Sequence, residues 1–373
     1  MTDSAVRALL PAGLRDILPP DAEHEADVVG RVMAHFAQHG YQRVKPPLIE
    51  FEDTLLDGAG AATAGQCFRV MDPLSQKMMG LRADMTPQVA RIAVARMAAE
   101  PRPLRLSYSG EVLRVKGSQL APERQLVQAG LELLGADTAA ADAEVIVLAA
   151  ETLAGLGVPG VSVDLSLPTL VPALAAGTGE ALREALDHKD AAGVKAEGGG
   201  AAAQLGALLG AVGPVDRALA VLAGLAVPPA AAALRDRLVQ VVALVRAAAP
   251  GVALTVDPVE NRGFEYHTGI AFTLFSRASS GELGRGGRYV AAGEVATGAT
   301  LFLDAVLAVV PPRPGAKRIY LPAGTGAASA RRLRADGWVT VAGLDTVADP
   351  AAEAKRLGCG HVLAGDGVSA VEA

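Results

Sequence analysis

Apolar and polar positions alternate most cleanly in two ten-residue runs, Leu104–Leu113 and Gln125–Leu134. A period of two places alternate side chains on opposite faces of a strand. Gln128 and Glu132, four residues apart, therefore share one face of the second strand. Elsewhere the period is helical. Val29, Val32, Met33 and Phe36 fall on one side of a helix that opens at Pro19-Pro20-Asp21, with Asp21 as its cap, and stops at Gly40. Short strands are expected at Tyr41–Val44, Cys67–Met71 and Lys77–Leu81, with a glycine-rich loop at Gly58–Gly65. A helix from Thr86 carries Pro87 in its first turn, where the missing N–H is tolerated. A further helix (Ala139–Leu156) leads to a strand at Val161–Leu165. Strand patterns recur at Val252–Val256, Gly269–Phe275 and Gly284–Tyr289, and a helix is expected over Thr297–Val310.

Residues 167–249 differ in kind, being Ala-rich, helical in period and broken by Gly198-Gly199-Gly200. They read as a helical insertion. Pro311-Pro312-Arg313-Pro314 marks a linker, after which β and α segments alternate over residues 316–373, a small α/β unit. Strands separated by helices make the main body, residues 1–312, α+β.

Composition narrows the function. The 373 residues carry 34 Lys and Arg against 40 Asp and Glu, and no basic stripe of the kind that grips nucleic acid. Half the chain is apolar, yet the longest uncharged stretches (197–216 and 217–235) are Ala and Gly, too weakly apolar for a span. Met1–Leu10 is too short and too charged for a signal peptide. The two cysteines, Cys67 and Cys359, form no CxxC. A soluble cytoplasmic chain without membrane contact is expected. His35 and His39 have helical spacing but no HExxH carboxylate, so no metal centre is expected. Glycine-rich Gly284-Arg285-Gly286-Gly287-Arg288 lacks dinucleotide-binding spacing.

Three segments place polar residues on strands that should be half buried: Leu81–Thr86, Tyr108–Arg114 with Glu123–Glu132, and Arg262–Gly269 with Gly287-Arg288-Tyr289. Together they suggest a polar pocket. In this order they resemble the catalytic domain of histidyl-tRNA synthetase, a class II aminoacyl-tRNA synthetase, from about Gly13 to Val310 without the insertion. The opening helix and Pro47 resemble motif 1, the dimer element. Leu113 to Glu132 resembles motif 2. Arg262-Gly263-Phe264-Glu265-Tyr266-His267 and Gly287-Arg288-Tyr289 resemble the histidine signatures. The resemblance implies an antiparallel sheet flanked by helices, with a truncated anticodon-binding-like unit at the C-terminus.

Three departures fall on the nucleotide side, while on the amino-acid side Asp84 stands for the family's Glu and His267 for a Tyr. Lys116 stands where the synthetases have a Glu that accepts from the adenine amino group, and Lys offers no acceptor. Leu126 replaces the aromatic that stacks on adenine. Ala305 replaces the arginine that grips ATP, a charge-assisted contact. The amino-acid side keeps polar groups: Asp84 and Gln128 for an ammonium, Glu132 for an imidazole N–H, His267 for the other ring nitrogen, Arg262 for a carboxylate. Thr86, Arg114, Tyr266 and Tyr289 complete the candidate histidine-binding set. The Arg82–Arg91 run, Arg-Ala-Asp-Met-Thr-Pro-Gln-Val-Ala-Arg, is more similar to the ATP phosphoribosyltransferase regulatory subunit family, synthetase-like paralogues of histidine biosynthesis. That resemblance implies a non-catalytic, cofactor-free protein that reads no tRNA. It further implies a motif 1-mediated dimer, a hetero-octamer with the short catalytic ATP phosphoribosyltransferase, and allosteric feedback inhibition by L-histidine. The histidine site would be the core pocket or a subunit interface. A working histidyl-tRNA synthetase and an amino-acid-binding scaffold for another partner are the alternatives.

Overall fold

The computed structural model describes residues 9–117, 122–175, 179–260, 266–365 and 367–371. The chain folds as two compact units, Met1–Pro311 and Pro312–Ala373.

The first unit is organised around nine strands: β1 (Gln42–Arg43), β5 (Leu104–Leu113), β6 (Gln125–Leu134), β7 (Val161–Ser166), β8 (Gly213–Pro214), β9 (Ala253–Asp257), β10 (Ala271–Ser276), β11 (Gly284–Ala291) and β12 (Glu294–Phe302). Their order is β1-β5-β6-β12-β11-β10-β7-β9-β8. All pairs are antiparallel except β1 with β5 and β7 with β9. β2 (Ile49–Phe51), β3 (Phe68–Met71) and β4 (Met78–Leu81) form a separate sheet with β4 in the middle.

The alternation in β5 and β6 has a packing cause. Odd positions of β6, Val127, Ala129, Leu131 and Leu133, enter a large core with α1 (Asp21–Gln38) and α4 (Ala139–Gly155). Leu134, an even position, joins a smaller core beneath α3 (Thr86–Arg91), with Leu106, Tyr108, Met85 and Tyr289. Helix α2 (Glu52–Leu55) lies between α1 and α3 in the chain. Gln128 and Glu132 thus face the α3 side, buried on a strand whose other face is apolar.

Residues 167–249 do form helices: α5 (Leu170–Leu174), α6 (Glu180–Asp187), α7 (Ala191–Glu197), α8 (Ala202–Ala211), α9 (Val215–Gly224) and α10 (Pro229–Ala248). Leu205, Leu208, Leu222, Leu238 and Val242 carry the insertion into the larger core. No helix among the described residues is long and apolar enough to cross a membrane.

Four local expectations change. Thr297–Phe302 is strand, not helix. β12 pairs on both edges, with β11 and β6, and only α11 (Leu303–Leu307) follows it as helix. Two ladders outweigh the neutral propensity of a Thr-Gly-Ala-Thr stretch. Gly58–Gln66 is a run of 3-10 turns begun by the Asp57 side chain, which accepts from the Gly58 N–H, rather than an open loop. Asp21 is the first residue of α1 and makes no side-chain cap. Its charge sits in the first turn, where it complements the helix dipole. Val28 rather than Val29 is fully buried.

In the second unit β13 (Arg318–Leu321) lies between β14 (Val339–Ala342) and β15 (His361–Ala364), both parallel to it, and β16 (Gly367–Ala370) runs antiparallel on β15. Helices α12 (Ala327–Ala335) and α13 (Pro350–Arg356) connect the parallel strands.

Candidate functional site

The α3 side of the large sheet gathers most of the polar residues singled out above. Glu132 lies in the middle of β6, only 1% exposed. The Tyr289 hydroxyl, from β11, donates to its Oε2 at 2.8 Å, and the Tyr108 hydroxyl, from β5, reaches its Oε1 at 3.4 Å. Thr86, at the first turn of α3, also hydrogen-bonds the carboxyl. Tyr108 is shared further, with Thr86 Oγ1 at 3.1 Å and Thr300 Oγ1 at 2.8 Å. No cation pairs with Glu132 among the described residues. Burial pushes its carboxyl up to about 8, and the charge of Asp84 adds to the rise, against the hydroxyl hydrogen bonds that favour ionisation. Burial likewise holds both phenols well above the usual tyrosine range, so they remain donors.

Two glycines make the room. Gly298 of β12 lies opposite Glu132, and a Cβ there would stand 1.8 Å from Oε2. Gly130 lies opposite Tyr108, where a Cβ would stand 2.3 Å from the phenol. A strand glycine under a large side chain is a position where backbone and side chain approach closely.

Around this centre Gln128 is 1% exposed, with Oε1 accepting from the Met85 N–H at 3.1 Å. That backbone donor fixes the amide's orientation, and leaves Nε2 buried with no partner among the described residues. Gln128 therefore offers donors, which suit a carboxylate, along with one remaining lone pair. Asp84 Oδ1 accepts from the Thr86 N–H at 2.8 Å. Arg114 is half-buried. Burial and Arg285 lower its guanidinium's pKa, Asp84 opposes them, and its Nε is unpartnered among the described residues. His267 is buried, its ring stacked at 4.1 Å on Tyr266, which meets Tyr289 edge-on at 6.0 Å. Arg262 lies outside the described residues.

Of the three nucleotide-side positions, Lys116 is exposed and Leu126 packs on the α3-side core. Ala305, in α11, packs on the larger core, and its neighbour Asp304 accepts from the Val127 N–H at 3.1 Å, so α11 lies against β6 next to Leu126. Sequence reasoning missed Tyr108 and Thr300 as pocket residues. The usable signal was the register, since an aromatic opposite a strand glycine marks a filled notch. Arg82 was quoted but given no role. It is buried and donates to the carbonyls of Glu111 (2.7 Å), Pro46 (3.1 Å) and Pro47 (3.3 Å), tying the segment between β4 and α3 to strand β5 and to the Pro46-Pro47 segment.

The chain's likenesses agree with this geometry. The Histidyl-tRNA synthetase family profile matches residues 13–306. A protein of Paramagnetospirillum magneticum named ATP phosphoribosyltransferase regulatory subunit is 65% identical over 379 residues, covering 100% of both chains. A Rhodospirillum centenum protein of the same name is 56% identical, covering 100% of this chain and 99% of its own. The chain belongs to the ATP phosphoribosyltransferase regulatory subunit family. A crystal structure from Bacillus halodurans, described as an ATP phosphoribosyltransferase regulatory subunit/histidyl-tRNA synthetase, superposes with TM-score 0.80. It is 22% identical over 94% of this chain and 96% of its own, a likeness that establishes the class II synthetase-like fold.

The synthetase-like fold persists in this chain, while the three positions expected to have lost nucleotide contacts carry apolar or basic side chains. Leu126 and Ala305 present no hydrogen-bonding atom, and Lys116 presents only donors. The α3 face of the sheet packs a carboxyl, a carboxamide and hydroxyls together.

Proposed function

We propose that this chain is the non-catalytic regulatory subunit of an ATP phosphoribosyltransferase, and that L-histidine binds on the α3 face of its sheet. Glu132 carries this reading. A buried carboxyl ringed by hydroxyls and lacking a cation among the described residues suits an incoming imidazole N–H. His267 serves the other ring nitrogen, Asp84 the ammonium, and Gln128 Nε2 with Arg114 and Arg262 the carboxylate. Tyr266 and Tyr289 supply the wall and Thr86 the floor. The subunit would dimerise through α1 and the segment around Pro47, and join the short catalytic subunit in a cytoplasmic hetero-octamer.

Feedback follows from linkage. If histidine prefers one arrangement of the assembly by about 1–3 kcal/mol, the catalytic equilibrium shifts roughly 5–150-fold, and the catalytic subunit's substrates shift histidine affinity equally. β11 is a direct route out of the pocket. Tyr289 faces Glu132, while the adjacent Arg288 faces the opposite side and binds Asp142 at 2.7 Å.

The test is the phosphoribosyltransferase rate of the short catalytic subunit of the same organism, with and without this chain. Strong stimulation that histidine suppresses supports the reading. No stimulation from two folded proteins rejects it, and histidine-dependent ATP–pyrophosphate exchange would restore a synthetase.

A further inference from the structure

On the other face of the sheet, α1 and α4 run against each other as an antiparallel seam of polar contacts. Arg31 of α1 donates to the Gly155 carbonyl at 3.1 Å. Tyr41, beyond the helix end, donates to Glu144 Oε1 at 3.0 Å, and Arg105 grips the same carboxylate with two bonds of 2.7 Å. Glu151 lies two turns after Glu144 on the same face of α4. Where Glu144 meets an arginine, Glu151 meets two histidines, His35 and His39. The ligand-capable atoms of the three lie within 4.8 Å of one another.

We propose that His35, His39 and Glu151 bind a divalent transition-metal ion of the zinc class. Three observations support this beyond proximity. The donor set, two imidazoles and one carboxylate, is that of three-ligand zinc sites that keep a fourth position for water. His39 Nδ1 lies 3.1 Å from the His35 carbonyl, which can only accept. That bond places the proton on Nδ1 and leaves Nε2 as the lone pair, the backbone-anchored tautomer usual for metal-bound histidine. His35 Nε2 is buried and has no partner among the described residues. Ligands about 2.1 Å from one tetrahedral ion are about 3.4 Å apart, so the 4.8 Å cluster must close by about 1.4 Å. The exposed His39 and half-buried Glu151 can supply that by side-chain rotation.

Imidazole and carboxylate donors rank zinc, nickel and copper above manganese, and disfavour magnesium and calcium. The bound ion would staple the C-terminal end of α1 to the C-terminal end of α4. The site is separate from the α3-side pocket and stands or falls independently of histidine binding.

The experiment titrates untagged, chelator-stripped full-length chain with ZnCl2 alone against a chromophoric chelator. Co2+ absorption serves as a second readout and thermal melting as a third. The expected result is one ion per chain, a tetrahedral cobalt spectrum and a raised Tm. Glu151→Gln and His39→Asn, both conservative changes at accessible positions, should weaken zinc binding by more than the roughly 10–100-fold that losing an outer-sphere partner costs. Both should abolish the Tm rise, while His188→Asn, at a histidine elsewhere in the insertion, changes nothing. Failure of the wild type to bind zinc, or equal affinity in Glu151→Gln and wild type, overturns the proposal.

Discussion

Two carboxylates, Glu132 and Asp142, are each 1% exposed on opposite sides of the same sheet, yet they are held very differently. Asp142, on α4, takes Arg288 through Oδ1 at 2.7 and 3.0 Å, Arg237 through Oδ2 at 2.7 Å, and the Thr297 hydroxyl at 2.8 Å. Among the described residues Glu132 takes only hydroxyls. A saturated buried ion pair is a structural knot, fastening strands β11 and β12 and the insertion helix α10 to the core. A buried carboxyl left without a cation is held ready for one, or for a donor. The difference separates the half of the molecule that keeps its shape from the half able to bind.

The largest contrast should be in stability. Asp142→Ala strips the buried Arg288 and the half-buried Arg237 of their buried partner and leaves both to the exposed Asp137, which should cost about 3 kcal/mol in denaturant unfolding. Glu132→Gln should not cost that. Its carboxyl rises from the ordinary range to about 8 on folding, so the folded state holds the extra proton. Stability from this group is fully present below the unfolded pKa and is lost progressively as pH rises to about 8. Glu132→Gln should therefore gain on wild type between pH 5 and 8, by ~2 kcal/mol or more at the upper end. Equal losses in the two variants would erase the comparison.

Next in size is ligand affinity. Glu132→Ala should abolish histidine binding measured by calorimetry, a loss of at least about 100-fold, since the ligand's imidazole N–H would be buried without an acceptor. Asp142→Asn, which preserves shape, should leave that affinity within about threefold if the two faces act separately. Unchanged affinity in Glu132→Ala would move the site to a subunit interface. Gly298→Ala is a finer probe. Its Cβ would strike Glu132 Oε2, and since overpacking a buried site costs roughly 1–3 kcal/mol, histidine binding should weaken while the distant Asp142 knot holds.

Much of this contrast was legible in the chain. β5 and β6 end where the alternation ends, because a half-buried strand forces the period of two along its whole length. The same period put Gln128 and Glu132 on one face. The shift from strand to short helix after Phe302 was not legible. Ala, Thr and Gly serve either conformation, and only the partners on both edges decide. Asp142 gave no sign of its role, since an acid near a helix start is ordinary and its arginines come from positions 237 and 288. Glu151 likewise joins His35 and His39 only through packing of two helices far apart in sequence. Residues within one element announce themselves by spacing, whereas sites assembled across elements do not.

The smallest predicted effect tests the idea most directly. Glu132 is mostly protonated in the free chain at pH 7, because burial holds its carboxyl up to about 8. Histidine's imidazole donates best to the carboxylate, so binding must draw that proton off. Between pH 6.5 and 8 the affinity should climb roughly 15-fold, approaching a factor of ten per pH unit only well below the titration point. Calorimetry in two buffers of different ionisation enthalpy should show close to one proton released per histidine bound at pH 7, and little at pH 9. Glu132→Gln should lose the release even if it retains weak binding, because the amide has no such proton to give. Proton uptake rather than release at pH 7 would mean that histidine enters as the imidazolium, or that it meets another group. On the Asp142 side Asp142→Asn should leave the proton count at pH 7 unchanged, since that carboxylate is held by two arginines on the opposite side of the sheet from the ligand.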